Sequence, residues 1–431
     1  MLRTVRVSVA IICFSLISLL FLDFTGTLHV WFGWLAKIQF LPALLALNVG
    51  VILSLLLLTL LFGRIYCSVI CPLGVFQDII AWFGKRGKKL PYTYSRALSW
   101  LRYGILIVFI IAVLAGVGSF VALLAPYSSY GRIISNLFAP LYQLGNNMFA
   151  YLAERAESYA FYEVDVWVKS LSIFIIALIT FGVLVLLAWR NGRTYCNTIC
   201  PVGTFLGTIA KYSLFKPVID VSKCNSCGLC ARHCKAACID SKKHKIDYSR
   251  CVVCLDCLDK CRHGAIKYMR RSAVKDKISS PVVTQDQIDS ARRNFLSVSA
   301  LFAATTVIKA QEKKVDGGLA VIEDKKIPNR VVALTPPGSL SVRNFAKHCT
   351  ACQLCVSVCP NQVLRPSGSL MTLMQPEMSY ERGYCRPECT KCSEVCPAGA
   401  IRPISVSEKS SIQIGHAVWI KENCVVLTDG V

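Results

Sequence analysis

The chain has 431 residues, 54% of them hydrophobic, with 23 cysteines, 6 histidines and a formal charge of +23. That length holds several domains, and the hydrophobicity comes in blocks, which indicates membrane spans followed by soluble modules. Cysteines at ligand spacing in so long a chain exclude a small secreted disulfide scaffold, the absence of a phosphate-cradling glycine motif argues against nucleotide chemistry, and positive charge beside apolar segments is explained by membrane orientation rather than nucleic acid.

In chain order, four apolar segments come first: about Val5 to Leu22, Leu41 to Phe62, Leu101 to Leu124 and Leu171 to Trp189. A helix needs about 20 apolar residues to cross the hydrocarbon layer, and each segment reads as a span. Cys13, alone in the first, reads as a small apolar residue. The loop from Gly63 to Trp100 carries Arg64, Lys85, Arg86, Lys88, Lys89 and Arg96, whereas the loop from Ala125 to Ser170 has only Arg132, Arg155 and Lys169 against its acids. Positive residues stay inside, so the first loop, the chain start with Arg3 and Arg6, and the chain after Trp189 are expected on the cytoplasmic side of a bacterial inner membrane.

An internal repeat lies in this part. Gly63-Arg-Ile-Tyr-Cys-Ser-Val-Ile-Cys-Pro-Leu-Gly-Val-Phe76 returns as Gly192-Arg-Thr-Tyr-Cys-Asn-Thr-Ile-Cys-Pro-Val-Gly-Thr-Phe205, each copy directly after a span. The unit, residues 1–215, is therefore a duplicated helix pair with Cys67 and Cys71 in one half and Cys196 and Cys200 in the other. Cysteines four apart share a helical face, and pseudo-symmetry can bring the four thiols together as a metal or cluster site, or as a thiol–disulfide couple working with quinol.

Residues 216–272 hold Cys224, Cys227, Cys230 and Cys234, then Cys251, Cys254, Cys257 and Cys261. Both sets have the spacing that holds cubane iron–sulfur clusters in bacterial dicluster ferredoxins, where the fourth cysteine of one run ligates the other cluster. Crossed ligation gives Cys224, Cys227, Cys230 and Cys261 to one 4Fe-4S cluster and Cys251, Cys254, Cys257 and Cys234 to the other. Structural zinc favours two Cys-x-x-Cys pairs with a longer spacer, which is not this pattern. Lys235 and Arg262 stand where the ferredoxin pattern has proline, and Cys238 is an alternative to Cys234 as fourth ligand.

The twin Cys-x-x-x-Cys-Pro layout followed by this eight-cysteine module resembles the NapH-type membrane ferredoxins, and the related NosR and CcoG groups share it. Over roughly residues 1–270, the resemblance implies a four-helix membrane unit that takes electrons from the quinone pool.

Beyond Tyr268 a basic linker, residues 273–294, leads to Arg292 and Arg293, followed by an apolar segment over 295–310. This resembles a twin-arginine export signal and is expected to be a fifth crossing, inside to outside. A proline-ended linker, 311–338, precedes a second ferredoxin-type domain, 339–431. There Cys349, Cys352, Cys355 and Cys359 repeat the ferredoxin spacing, and Cys385, Cys389, Cys392 and Cys396 do so with one extra residue in the first gap. Crossed ligation pairs Cys349, Cys352 and Cys355 with Cys396, and Cys385, Cys389 and Cys392 with Cys359. The segment from Thr335 onward resembles the NapG- and MauM-type ferredoxins, which implies a periplasmic location. Cys424 stands without partners near the last residue, so the chain is expected to be incomplete there, with Cys424 opening a further cluster motif.

The expected fold class is therefore multi-domain: an α-helical membrane bundle of four spans plus a fifth, with two bacterial-type dicluster α+β ferredoxin modules, the first cytoplasmic and the second periplasmic. The expected function is electron transfer from quinol through four or more 4Fe-4S clusters to a periplasmic redox protein or reductase, with the bilayer and the quinone pool as further partners and no nucleic acid. The alternative is an assembly or regulatory protein that reduces a metal site in a partner during maturation.

Overall fold

Long aliphatic runs become helices here because nothing inside them competes for the backbone. In the computed structural model, Leu2–Leu22 and Leu171–Asn191 are each 21 residues long, and both are long and apolar enough to cross a membrane by length and composition. At 1.5 Å per residue each measures about 31 Å, the thickness of a hydrocarbon layer. The structure describes residues 2–86, 92–157, 161–270, 333–370, 372–381, 383–414 and 419. Arg292 and Arg293, the 295–310 segment and Cys424 lie outside the described residues, as does most of both linkers.

The second and third expected spans are not continuous. The second is split into Phe40–Leu45 and Val49–Phe62, the latter 14 residues long. Leu47 sits at φ 52°, and Asn48 caps the new helix by accepting from the Val51 amide at 3.3 Å. The third is Ser99–Ala115 followed by Gly118–Leu124, separated at Gly116, whose φ of 73° an L-residue adopts only with strain. The expected loop from Ala125 to Ser170 is largely helical, and Pro126–Ile133 is buried along its whole length. Counting charges there overlooked Tyr127 and Tyr130, whose rings pack on Phe21, Phe14 and Phe76.

The four bundle helices run alternately between the two cysteine modules. Ahead of Leu2–Leu22 in space lies the first module: Arg3 bonds Asp256 at 2.8 Å, while just past the helix the Thr25 carbonyl accepts from Lys391 of the second module at 2.8 Å. Val49–Phe62 runs the other way, from Ala46 against Gly399 to Phe62, whose carbonyl accepts from Tyr268 at 3.0 Å. Ser99–Ala115 returns from Arg102, bonded to Ser249 at 3.1 Å, to Gly116 and Gly118 beside Lys347 and Gln375. Leu171–Asn191 closes the set, with Lys169 donating to the Val356 carbonyl at 3.2 Å before it and the Arg193 amide donating to the Lys235 carbonyl at 2.9 Å after it. Helices and both modules belong to one compact unit, Met1–Lys277 with Ala333–Gly415.

Each module is a small sheet-and-loop structure. In the first, Phe215–Ile219 pairs antiparallel with Ile266–Arg270, from Phe215 opposite Arg270 to Ile219 opposite Ile266, and Ile239–Asp240 pairs with Lys245–Ile246. In the second, Leu364–Pro366 pairs antiparallel with Pro376–Met378. Strands this short are not stable alone, so what fills the space between the cysteine loops carries much of each module's order.

Candidate cluster sites and the four-cysteine centre

The cysteine runs wrap around small cavities by a shared backbone device. Two and four residues after the first cysteine, three runs place left-handed residues: Ser226 and Gly228, Val253 and Leu255, Ala351 and Gln353. Non-glycine residues adopt that conformation at a cost of about 1–2 kcal/mol each. It turns successive amides towards one point, the arrangement that holds an anion; the Ala351 amide, for example, donates to Cys349 Sγ at 3.4 Å. The run beginning at Cys385, with its extra residue, has no left-handed residue among those described.

The structure gathers the thiols in fours. One cavity is lined by Cys349, Cys352, Cys355 and Cys396, and a second by Cys359, Cys385, Cys389 and Cys392. A third is lined by Cys234, Cys251, Cys254 and Cys257 with Cys238 beside them. Cys230 is within electrostatic reach of Cys224, Cys227 and Cys261. Cys234 and Cys238 lie 3.5 Å apart at sulfur, so both can reach the same cavity. Burial pushes the Cys254 and Cys352 thiols up to about 12, which makes bare thiols protonated there; a bound metal replaces those protons. Among the described residues no three His, Cys, Asp or Glu side chains converge as a single ion requires. A cubane spreads its thiolates over a wider shell than one ion does, so four thiols lining each cavity without converging on a point suit a cluster.

Lys235, in the place of the ferredoxin proline, has a role in docking. Its carbonyl receives the Arg193 amide, and its ammonium pairs with Asp78 at 3.5 Å and Asp256 at 3.2 Å, joining the module to the helices.

Cys67, Cys71, Cys196 and Cys200 are all buried, 3–4% exposed, and lie near enough to feel one another's charge. The two copies of the repeat are interlocked by their arginines. Arg64 donates to the Cys196 carbonyl at 3.1 Å, and Arg193 donates to the Cys67 carbonyl. The repeated glycines make room for this: a Cβ on Gly74 would lie 2.1 Å from the Cys67 carbonyl oxygen and one on Gly203 2.4 Å from that of Cys196. Arg193 is neutralised by Asp78 at 2.9 and 2.7 Å. Arg64 is wholly buried and, among the described residues, has no carboxylate within ion-pair distance; its guanidinium instead lies 3.9 Å from Cys67 Sγ and donates to Asn197 at 3.0 Å. A buried unpaired cation is too costly to keep unless an anion is close, and cysteine thiolates holding a metal group here would supply one. By sequence alone Arg64 is one of the positive charges of the loop from Gly63 to Trp100; Arg64, Arg193, Gly74 and Gly203 are visible as repeated positions, whereas Gln77 and Asp78 follow the repeat and carry no signal.

This centre is seated on the first module, through Arg64 to the Ser249 carbonyl at 3.1 Å and Asn197 to the Ala236 carbonyl at 3.2 Å. Towards the second it meets the segment over 118–133, through Tyr195 to the Leu124 carbonyl at 3.0 Å. That segment in turn touches the second module, where Gly131 abuts the Cys352 carbonyl.

Comparison with known proteins adds the following. The sequence model of a 4Fe-4S binding domain family matches residues 44–91 and 173–221, which contain Cys67, Cys71, Cys196 and Cys200 and none of the ferredoxin-run cysteines. The chain is 28% identical over 241 residues to the ferredoxin-type protein NapH of Haemophilus influenzae, covering 54% of this chain and 70% of that protein. It is 29% identical over 112 residues to the methylamine utilization ferredoxin-type protein MauM of Methylobacillus flagellatus, covering 25% of this chain and about half, 47%, of that protein. A 70-residue stretch, 16% of this chain, is 39% identical to 85% of pyruvate synthase subunit PorD of Methanothermobacter marburgensis. No solved structure matches the chain.

Proposed function

We propose that this chain, which is similar to the NapH-type 4Fe-4S ferredoxin proteins, conducts electrons through a membrane along five clusters, four in the ferredoxin modules and one on Cys67, Cys71, Cys196 and Cys200. The observation that carries this reading is that both modules sit on opposite ends of the same four helices with the four-cysteine centre between them. The crossed quartets read from spacing are the ligands we assign, with Cys234 in preference to Cys238. A cubane accepts or gives one electron without large rearrangement, and the protein sets its potential through burial and hydrogen bonds to sulfur.

The contacts favour an order. Cys227 is exposed, which suits its quartet to exchange with a partner in solution. The Cys234 quartet lies next to Arg64 and Lys235 and so nearest the membrane centre. On the far side the Cys352 quartet comes next, and the Cys385 quartet is outermost. With positive loops held inside, the first module is cytoplasmic and the second periplasmic.

Quinol is the proposed electron source. A cavity of about 480 Å³ lies at the second-module end of the bundle, walled by Phe21, Phe138, Phe181 and Trp167, with Gln143, Lys169, Asn136, Ser135 and Ser357 as polar groups. Aromatic walls interspersed with polar groups suit a quinone ring. Oxidation there releases two electrons, passed singly to clusters, and two protons to water at that end; quinone leaves.

Adding quinol to the purified protein in detergent while cluster reduction is followed spectroscopically tests this. The wild type is expected to be reduced, and the Cys67→Ser/Cys196→Ser variant to lose about four of about twenty irons and its quinol-driven reduction of the first module. Undiminished reduction of that module in the variant would remove the centre from the route.

A further inference from the structure

The two halves of the repeat hold their cysteines alike, but the helix that follows each motif does not continue the likeness. Carrying the register of Gly63 on Gly192 two steps past Phe76 and Phe205 puts Gln77 opposite Leu206 and Asp78 opposite Gly207. Gln77 is 1% exposed, and its amide nitrogen donates to Cys196 Sγ at 3.2 Å. The same nitrogen donates to the Leu73 carbonyl at 3.3 Å, which fixes that end of the amide towards the sulfur. Leu206, wholly buried, offers no donor in the other half.

We propose that Gln77 is a tuning residue that raises the reduction potential of the four-cysteine centre above what the symmetric part of the repeat would give. The inference rests on that centre holding a cluster. A donor on a ligand sulfur draws charge from it, and a cluster that has gained an electron is the more anionic state, so the bond stabilises the reduced form more than the oxidised one. Burial magnifies the difference, because no water competes for either partner. Among the described residues the other side-chain donor to these thiols is Arg64, 3.9 Å from Cys67 Sγ, while the Gly203 amide reaches Cys200 Sγ at 3.3 Å and the Gly74 amide donates to Cys71 in the equivalent place. Gln77 is thus the neutral side chain that one half supplies and the other lacks, and it sits where its loss leaves the arginine framework in place. The consequence is a centre that the neighbouring clusters reduce more easily than they would without the Gln77 donor.

The test is a redox titration of full-length protein, followed by electron paramagnetic resonance, for the wild type, Gln77→Leu and Gln77→Met. The first variant copies Leu206, and the second keeps the length of the side chain. Expected is unchanged iron content and one signal whose reduction equilibrium becomes about tenfold less favourable, equivalent to about 59 mV for one electron, with the ferredoxin signals unmoved. Full iron content with every midpoint unmoved would overturn the tuning role, as would loss of the centre's iron in both variants, which would make Gln77 a structural support. The Cys67→Ser/Cys196→Ser variant separates the two layers: it is expected to remove the shifted signal. If it removes no iron, the cluster itself is absent and the tuning falls with it.

Discussion

Arg193 and Arg64 occupy equivalent places and have different electrostatic partners. Arg193 is bound by both oxygens of Asp78, which also receives Arg6 at 3.2 Å and Lys235. Removing one partner from a buried network leaves the others as unpaired charge, so Asp78→Asn is expected to cost about 3–5 kcal/mol, read by thermal or denaturant unfolding in detergent. A change within error would mean that water reaches the network. Asp23, just beyond the first long helix, gives a pH signature. Burial would raise its carboxyl, but bonds from His29, Thr25 and the Leu28 and Gly26 amides outweigh burial and hold it well below the usual range. A depressed carboxylate stabilises the fold fully above its unfolded value of about 3.9 and loses that contribution as pH falls through the folded value. Protection from hydrogen exchange in the 23–28 turn, taken relative to the intrinsic rate at each pH, is therefore expected to hold down to about pH 4 and to fall below it, with Asp23→Asn weakly protected at every pH. The turn also holds the Lys391 contact, so its opening loosens the second module's seat.

At the scale of elements, the repeat is where sequence and structure agree most closely, and the glycine after each Cys-Pro shows why. A Cβ at Gly74 or Gly203 would intrude on the carbonyl of the first cysteine and on the arginine reaching over from the other half, Arg193 at 2.9 Å and Arg64 at 2.7 Å. Gly74→Ala and Gly203→Ala are each expected to remove the centre's iron, about four atoms, with the ferredoxin spectra retained. Full iron in either would show that the halves can separate without loss. The cysteine runs were legible because cubane chemistry fixes their spacing. The outer helices were legible because hydropathy is continuous across them. The middle ones were not, since one left-handed leucine and a left-handed glycine interrupt apolar stretches that composition alone reads as unbroken. The buried segment around Tyr127 and Tyr130 was missed for a related reason: a polar, tyrosine-rich run reads as a loop until Phe14 and Phe21 are known to cover it. The crossing of Arg64 and Arg193 between halves is a tertiary fact, and no local pattern encodes which carbonyl a guanidinium will meet.

For the whole molecule, the proposed function is that one chain carries electrons from one membrane face to the other. The helices that alternate between the modules supply the length, the interlocked repeat supplies a site that touches the first module directly and the second through the 118–133 segment, and the paired ends at Arg3 and Asp256, and at Lys391 and Thr25, keep each module against its own end of the bundle. The measurement that tests this most directly uses sealed vesicles containing the reconstituted protein, with an impermeant acceptor, cytochrome c, trapped inside and impermeant dithionite added outside. The trapped cytochrome is expected to be reduced in vesicles containing the wild type, and to remain oxidised in those containing the Cys67→Ser/Cys196→Ser variant and in vesicles without protein. Cytochrome that stays oxidised with the wild type, while the clusters facing the dithionite are fully reduced, would contradict it.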